Sequence, residues 1–252
     1  MIIGLSGRKQ SGKSTAGNLI YSLYMAQTNI AEKVLLSSDG EIIVSDLLGN
    51  ESYAGKFLPY RYAHESEDVV INEVFNTLDP LIQIYNFADI LKGLCMDIFD
   101  FSYNQCYGTD ENKNELVEGC FWPSTTPSHE VGLDKQMTAR EVMQYVGTDI
   151  FRNIKKDVWV KSTINKIKKQ NAKLSIITDC RFPNEVDIIK QNGGAVIRLT
   201  RSPFDSEHLS ETVLDKENYD WDNFDYIIDN KNTDLYAQCD QIKKITLEIL
   251  KL

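Results

Sequence analysis

Short apolar runs alternate along this chain with segments whose apolar residues recur every three or four positions. Five of the runs, residues 2–6, 82–87, 174–179, 195–200 and 226–229, are rich in Ile or Val and predict core strands. The periodic segments predict helices over 12–26, 88–99, 139–145, 158–170, 185–191 and 234–250. Two helix starts are marked locally, by the capping-box spacing of Thr138 and Glu141 and by Asp157 ahead of an apolar-periodic run. Gly193 and Gly194 supply a stop. Strands that alternate with helices pair in parallel through right-handed crossovers, which buries both faces of the sheet. The expected class is therefore α/β, a five-stranded, mostly parallel sheet with helices on both faces.

Two stretches interrupt the alternation. Roughly 28–80 contains a hairpin-like pattern, Val34-Leu35-Leu36 and Glu41-Ile42-Ile43-Val44 about the turn residues Ser38-Asp39-Gly40. The second, 103–136, carries turn residues and Trp122-Pro123 but little helix-period pattern. Both read as insertions in a single domain spanning 1–252, and no repeat or low-complexity tract is present.

With 252 residues the chain can bury a substantial core. No apolar run approaches the roughly 18 residues of a membrane span, and the amino terminus lacks the basic region and cleavage site of a signal peptide, so a cytoplasmic protein with no membrane partner is expected. The five cysteines, at 95, 106, 120, 180 and 239, are scattered and odd in number, which points to reduced thiols and not to a disulfide framework or zinc site. A formal net charge of −10 argues against capture of a nucleic-acid backbone. Small phosphorylated ligands remain open, because they need only a local set of cations and N–H groups.

Candidate chemistry begins at Gly7-Arg8-Lys9-Gln10-Ser11-Gly12-Lys13-Ser14, which fits GxxxxGK[ST] directly after an apolar run and directly before a helical pattern. In that context the glycines allow close approach, the loop N–H groups and helix N-terminus face the β-phosphate, Lys13 reaches the β- and γ-phosphates, and Ser14 holds Mg²⁺. A glycine-rich turn without a ligand is the alternative. Gly7, Lys9, Ser11, Gly12, Lys13, Ser14 and Thr15 are the candidate ATP-binding residues. The loop alone leaves a switch GTPase, an ATPase motor and a small-molecule kinase open.

A second polar cluster, Asp179-Cys180-Arg181 with Glu185, follows the third predicted strand and should emerge at the carboxyl edge of the sheet, where ligands bind in open α/β folds. Asp179 is placed to hold a metal-bound water or orient an acceptor oxygen, and Arg181 to meet a phosphate bidentately. A salt bridge closing a loop would use the same residues. Arg198 and Arg201 follow the fourth strand, and 201–205 reads either as a short lid carrying a cation or as solvated charge. Trp159 is open between core packing and ligand contact. Asn230 is open between adenine contact and capping the last helix. His64, His129 and His208 have no ligand-spaced neighbours, and the lysines of 161–169 read as a solvated helix face.

Taken in order, the chain resembles the deoxynucleoside monophosphate kinases of tailed bacteriophages. The matching segments are the phosphate loop, Asn86-Phe87-Ala88-Asp89-Ile90-Leu91-Lys92, the run from Arg140 to Asp149 leading to Trp159-Val160-Lys161, Asp179-Cys180-Arg181 with Glu185, Gly193-Gly194-Ala195-Val196-Ile197, His208-Leu209-Ser210-Glu211 and Ile228-Asp229-Asn230. The resemblance implies a P-loop kinase fold and transfer of the γ-phosphoryl group of ATP, with Mg²⁺, to a deoxynucleoside 5'-monophosphate. It implies Lys92, Lys113, Arg140, Thr148, Trp159, Asp179, Arg181 and Glu185 on the acceptor side, and Lys13, Asp179 and Arg181 as catalytic. Arg201 and Asn230 join the ATP site, and Ser14 and Asp179 the metal. Its setting would be the cytoplasm of an infected bacterial host, and a homodimer is compatible with it. Here Lys92 arrives only after the 28–80 stretch, later than in the family. A kinase of another small metabolite, such as a dephospho-coenzyme-A kinase, and a nucleotide-binding switch are the competing readings.

Overall fold

The structure is a computed structural model, and it describes residues 1–28, 33–36, 42–45, 51–53, 81–123, 135–203 and 209–251. The chain forms two compact units, one of residues 1–87 with 163–252 and one of residues 88–162.

The first unit is built on a five-stranded parallel sheet. Its strands are β1 (Ile2–Ser6), β5 (Ile82–Tyr85), β8 (Leu174–Cys180), β9 (Ala195–Leu199) and β10 (Tyr226–Ile228), in the spatial order β10-β9-β1-β8-β5. Every pairing in it is parallel, with Ile3 opposite Ile176 on one side and Ala195 on the other. β1 is buried along its whole length, as a central strand covered on both faces requires. Its alternation sorts the two faces. Ile3 and Leu5 join the core beneath helices α1 (Lys13–Gln27) and α9 (Leu235–Leu250), with Ala16, Leu19 and Ile20 from α1 and Ile242 and Ile249 from α9. Gly4 points the other way, toward α7 (Pro183–Gln191), where a Cβ would lie 2.5 Å from Ile189 Cδ1. The α/β class with helices on both faces is what the periodicity predicts.

The hairpin foreseen in the first interruption forms: β2 (Lys33–Leu36) pairs antiparallel with β3 (Ile42–Ser45), with Leu36 opposite Ile42, and β4 (Glu51–Tyr53) adds a third strand. The turn expected at 38–40 lies outside the described residues.

The second unit holds α2 (Asp89–Phe99), α3 (Tyr103–Tyr107), α4 (Asp110–Lys113), the antiparallel pair β6 (Leu116–Phe121) and β7 (Gln136–Thr138), and α5 (Ala139–Gln144), which widens into π-type turns over Tyr145–Arg152. The helix α6 (Val158–Gln170) begins here. The region 103–136 is thus richer in regular structure than its pattern suggested. Its two helices are too short to show a period, and reciprocal capping boxes start them, Ser102 with Gln105 and Thr109 with Asn112. Cys95, Phe101, Cys106, Val117, Met137, Ala139, Val142 and Val146 form this unit's core. Among the described residues no helix is long and apolar enough to cross a membrane.

Candidate functional site

The candidate phosphate loop, residues 7–14, joins β1 to α1 in the first unit. Gln10 and Gly12 take left-handed backbone conformations, with φ of 57° and 95°, of the kind that builds concave N–H nests for anions. The loop is tied from behind: Asn230 Nδ2 donates to Ser11 O at 2.8 Å and to Gln238 Oε1 at 3.1 Å, while Asn230 Oδ1 accepts from the Arg201 N–H at 2.8 Å. Asn230 is buried at 3% exposure. Its amide therefore fastens the loop to α9 and to the chain after β9. The cap of α9 is Asp234, whose carboxylate accepts from the Ala237 N–H at 2.8 Å.

Lys13 lies at the floor of the loop, 8% exposed, donating to Gly7 O at 2.8 Å and Arg8 O at 2.6 Å. Its pKa is lowered from 10.5 to about 8, by burial first and by the Arg181 charge second, against the raising influence of Glu211 and Asp179. Lys13, Arg181 and Asp179 are thus electrostatic neighbours. Ser14 is exposed and Thr15 half-buried in the first turn of α1.

At the end of β8, Asp179 Oδ1 accepts the Phe87 N–H at 2.7 Å, which ties that strand end to the segment after β5. Glu185 is 3% exposed and its Oε2 accepts both the Arg181 N–H, at 2.6 Å, and the Phe182 N–H, at 3.0 Å. That carboxylate shapes the turn which presents the half-buried Arg181 side chain. Ser14 and Asp179 carry oxygen donors, the ligand type that a hard cation takes.

Two acidic residues were given no role by the sequence reading. Glu211, in α8 (Leu209–Thr212), pairs with Arg181 Nη1 through one oxygen and accepts the Lys9 N–H at 2.5 Å through the other. Asp215 pairs with Arg8 Nη2, accepts from Arg8 Nε at 3.1 Å and binds Arg198 Nη2 at 3.3 Å. Arg198 does not follow β9, as the sequence reading had it, but sits within it. Its register opposite Ser6 and a bond to Ser6 Oγ at 3.1 Å hold it 4% exposed over the rings of Trp221 and Phe224. Burial lowers its pKa and Asp215 opposes that shift. Glu211 stands in a segment of the resemblance, but no spacing rule connects Asp215 to a loop 207 residues away. Arg201 is exposed. Phe204 and Asp205 of the suggested lid lie outside the described residues, as do His64, His129 and His208.

The second unit carries the remaining acceptor-side candidates. Lys92 Nζ lies 4.0 Å from the centre of the Tyr107 ring, and Lys92 and Lys113 both act on the Cys106 thiol by lowering its pKa, against a larger rise from burial. Arg140 donates to Asp110 Oδ1 at 2.7 Å and to Asn114 Oδ1 at 3.0 Å, the residues that bracket Lys113. Three cations, distant in sequence, are thereby gathered about α3 and α4. Trp159 is 6% exposed, donates to Gly147 O at 3.0 Å and packs against Phe151, so its indole is spent in the core of this unit. Thr148 is exposed on the π-type turns.

A family described as deoxynucleotide monophosphate kinase matches residues 97–239 of the chain. The matched span starts after the phosphate loop, so loop and match are separate observations. Over 146 residues, covering 51% of this chain and 67% of the relative, the chain is 32% identical to a protein of Acanthamoeba polyphaga mimivirus whose name assigns it provisionally to the deoxynucleotide monophosphate kinases. That relative comes from a mimivirus and not from a tailed bacteriophage.

Proposed function

The chain belongs to the deoxynucleotide monophosphate kinase family and is a phosphotransferase, and from that premise we propose that it moves the γ-phosphoryl group of ATP to a deoxynucleoside 5'-monophosphate, giving a deoxynucleoside diphosphate and ADP. The observation that carries this reading is the convergence of Lys13, Arg181 and Asp179 at the carboxyl edge of the parallel sheet, beside a phosphate loop whose backbone is fastened by Asn230.

In the proposed mechanism the loop N–H groups from Gln10 to Ser14 and the N-terminus of α1 grip the donor's β-phosphate, and the Lys9 N–H meets the γ-phosphate. Lys13 spans the β- and γ-phosphates, and two anions beside it offset the burial that lowers its pKa. Gly7, Gly12, Ser11 and Thr15 shape the cradle, and Arg201 and Asn230 border it. Ser14 and Asp179 would hold Mg²⁺, which supplies charge neutralisation on the phosphate oxygens when bound. Arg181, presented by Glu185, meets the transferring group. Lys92, Arg140 and Lys113 neutralise the acceptor phosphate and Thr148 meets the acceptor, while Trp159, spent on Gly147 O and Phe151, supports the unit that carries them. An acceptor phosphate is already ionised, so no general base is called for, and positioning and electrostatics carry the rate.

The net charge of −10 favours nucleotides, and not nucleic acid, as partners. The gathering of Lys92, Lys113 and Arg140 around α3 and α4 favours a kinase over a switch, because a switch has one nucleotide to hold. An assay coupling ADP release to each deoxynucleoside monophosphate tests the proposal. Turnover that depends on one or more of them is expected, and ATP hydrolysis indifferent to all of them refutes it.

A further inference from the structure

Resting on the reading of the phosphate loop as the donor site, we propose that Glu211 is a resident stand-in for the transferable phosphate, competing with it for the Lys9 N–H and Arg181 and so setting the apparent affinity for the donor. The two oxygens of this carboxylate each take a phosphate-type donor: Oε2 accepts the Lys9 N–H at 2.5 Å and Oε1 pairs with the Arg181 guanidinium. A backbone N–H of the phosphate loop together with an arginine is the donor set that phosphate oxygens seek. The Glu211 side chain is 9% exposed, so its charge is felt strongly by its neighbours. Among the influences that raise the Lys13 pKa, Glu211 is the largest, which places its charge beside the ammonium that a phosphate would contact.

A carboxylate and a phosphate dianion cannot hold these groups together, because like charges in a partly buried site repel. Donor binding is then an exchange, in which Arg181 and the Lys9 N–H pass from Glu211 to the incoming phosphate. The carboxylate has a built return path. Asp215, four residues further on, is anchored to Arg8 and to the buried Arg198, which keeps the segment against the loop. A nucleoside diphosphate, lacking the transferable group, reaches the Lys13 cradle without contesting Glu211. The device therefore weakens triphosphate binding selectively, and it frees Arg181 when the group to be transferred arrives.

Calorimetric titration of the full chain and of Glu211→Gln with ATP, ADP and inorganic tripolyphosphate tests this, with thermal melts alongside. Glutamine can still accept from the Lys9 N–H but no longer holds Arg181 by charge. The expected result is ATP and tripolyphosphate binding tightened about tenfold, the factor for a pair closed roughly 90% of the time, with ADP changed by less than about twofold. Glu211→Asp, one methylene shorter, is expected to move in the same direction and serves if the glutamine variant does not fold. Unchanged or weaker triphosphate binding in a normally melting Glu211→Gln overturns the proposal and leaves Glu211 a structural prop. Absence of ATP and tripolyphosphate binding by the unaltered chain overturns the donor reading, and the proposal with it.

Discussion

Lys13 is a buried cation whose charge the fold disfavours, and replacing it exposes that cost as a pH-dependent stability. Its pKa is lowered from 10.5 to about 8, burial being the largest cause, and its exposure is 8%. A shift of that size corresponds to about 3 kcal/mol between the two protonation states. The unfolded chain binds the proton up to about pH 10.5 and the folded chain only to about 8, so between these values the unfolded state carries more protons and stability rises with pH. The penalty is complete below pH 8 and is relieved as pH climbs toward 10.5. Lys13→Met removes it at every pH. Urea unfolding of both proteins at pH 7 and 9.5 should therefore show the unaltered chain gaining about 2 kcal/mol relative to the variant over that interval. Titration of the lysine ¹³Cε signals, with the variant as the assignment, should place the absent resonance near pH 8. Parallel stability profiles, or a resonance titrating near 10.5, would show that the cradle does not desolvate this ammonium.

Asn230→Ala leaves Ser11 O and the Arg201 N–H without their partner in a buried site, and is expected to lower stability by about 1–3 kcal/mol while weakening ATP binding, both read by denaturation and calorimetry. Gly4→Val forces a branched side chain onto Ile189 across the sheet and should cost about 1–3 kcal/mol, which trimming Ile189 to Ala in the same chain partly restores. Arg140→Ala should raise the KM for the acceptor well above any change in that for ATP; equal effects on both would remove Arg140 from the acceptor phosphate. Burial pushes the Cys95 thiol up to about 12 and the Cys180 thiol well above its usual value, so in the native protein at pH 8 both should resist iodoacetamide while the less buried Cys120 and Cys239 are labelled first, as peptide mapping would report.

Most of the sheet was legible in the chain because a buried parallel strand and an amphipathic helix each write a local period. The run at 2–6 and the helix at 158–170 lie where the pattern put them. The phosphate loop is local too, eight consecutive residues between a strand and a helix. By contrast, α3 and α4 left no period because each is little more than one turn started by a cap. Their neighbourhood, where Lys92, Lys113 and Arg140 gather, exists only once Arg140 reaches back to Asp110.

The sequence by itself determined the α/β alternation and where the GxxxxGK[ST] loop and the charged turn after β8 stand, since in each the residues that matter are neighbours along the chain. Only the tertiary structure decided that Trp159 is spent on Gly147, that Asn230 fastens the 7–14 loop, that Arg198 is buried behind it, and that Glu211 pairs with Arg181 and Asp215 with Arg8. Side chains about 200 residues apart, such as Arg8 and Asp215, leave no mark of their pairing on either local pattern. They meet because parallel strands bring the ends of distant segments to one edge, and burial there makes each charge answer to whatever carboxylate or amide the fold has set beside it.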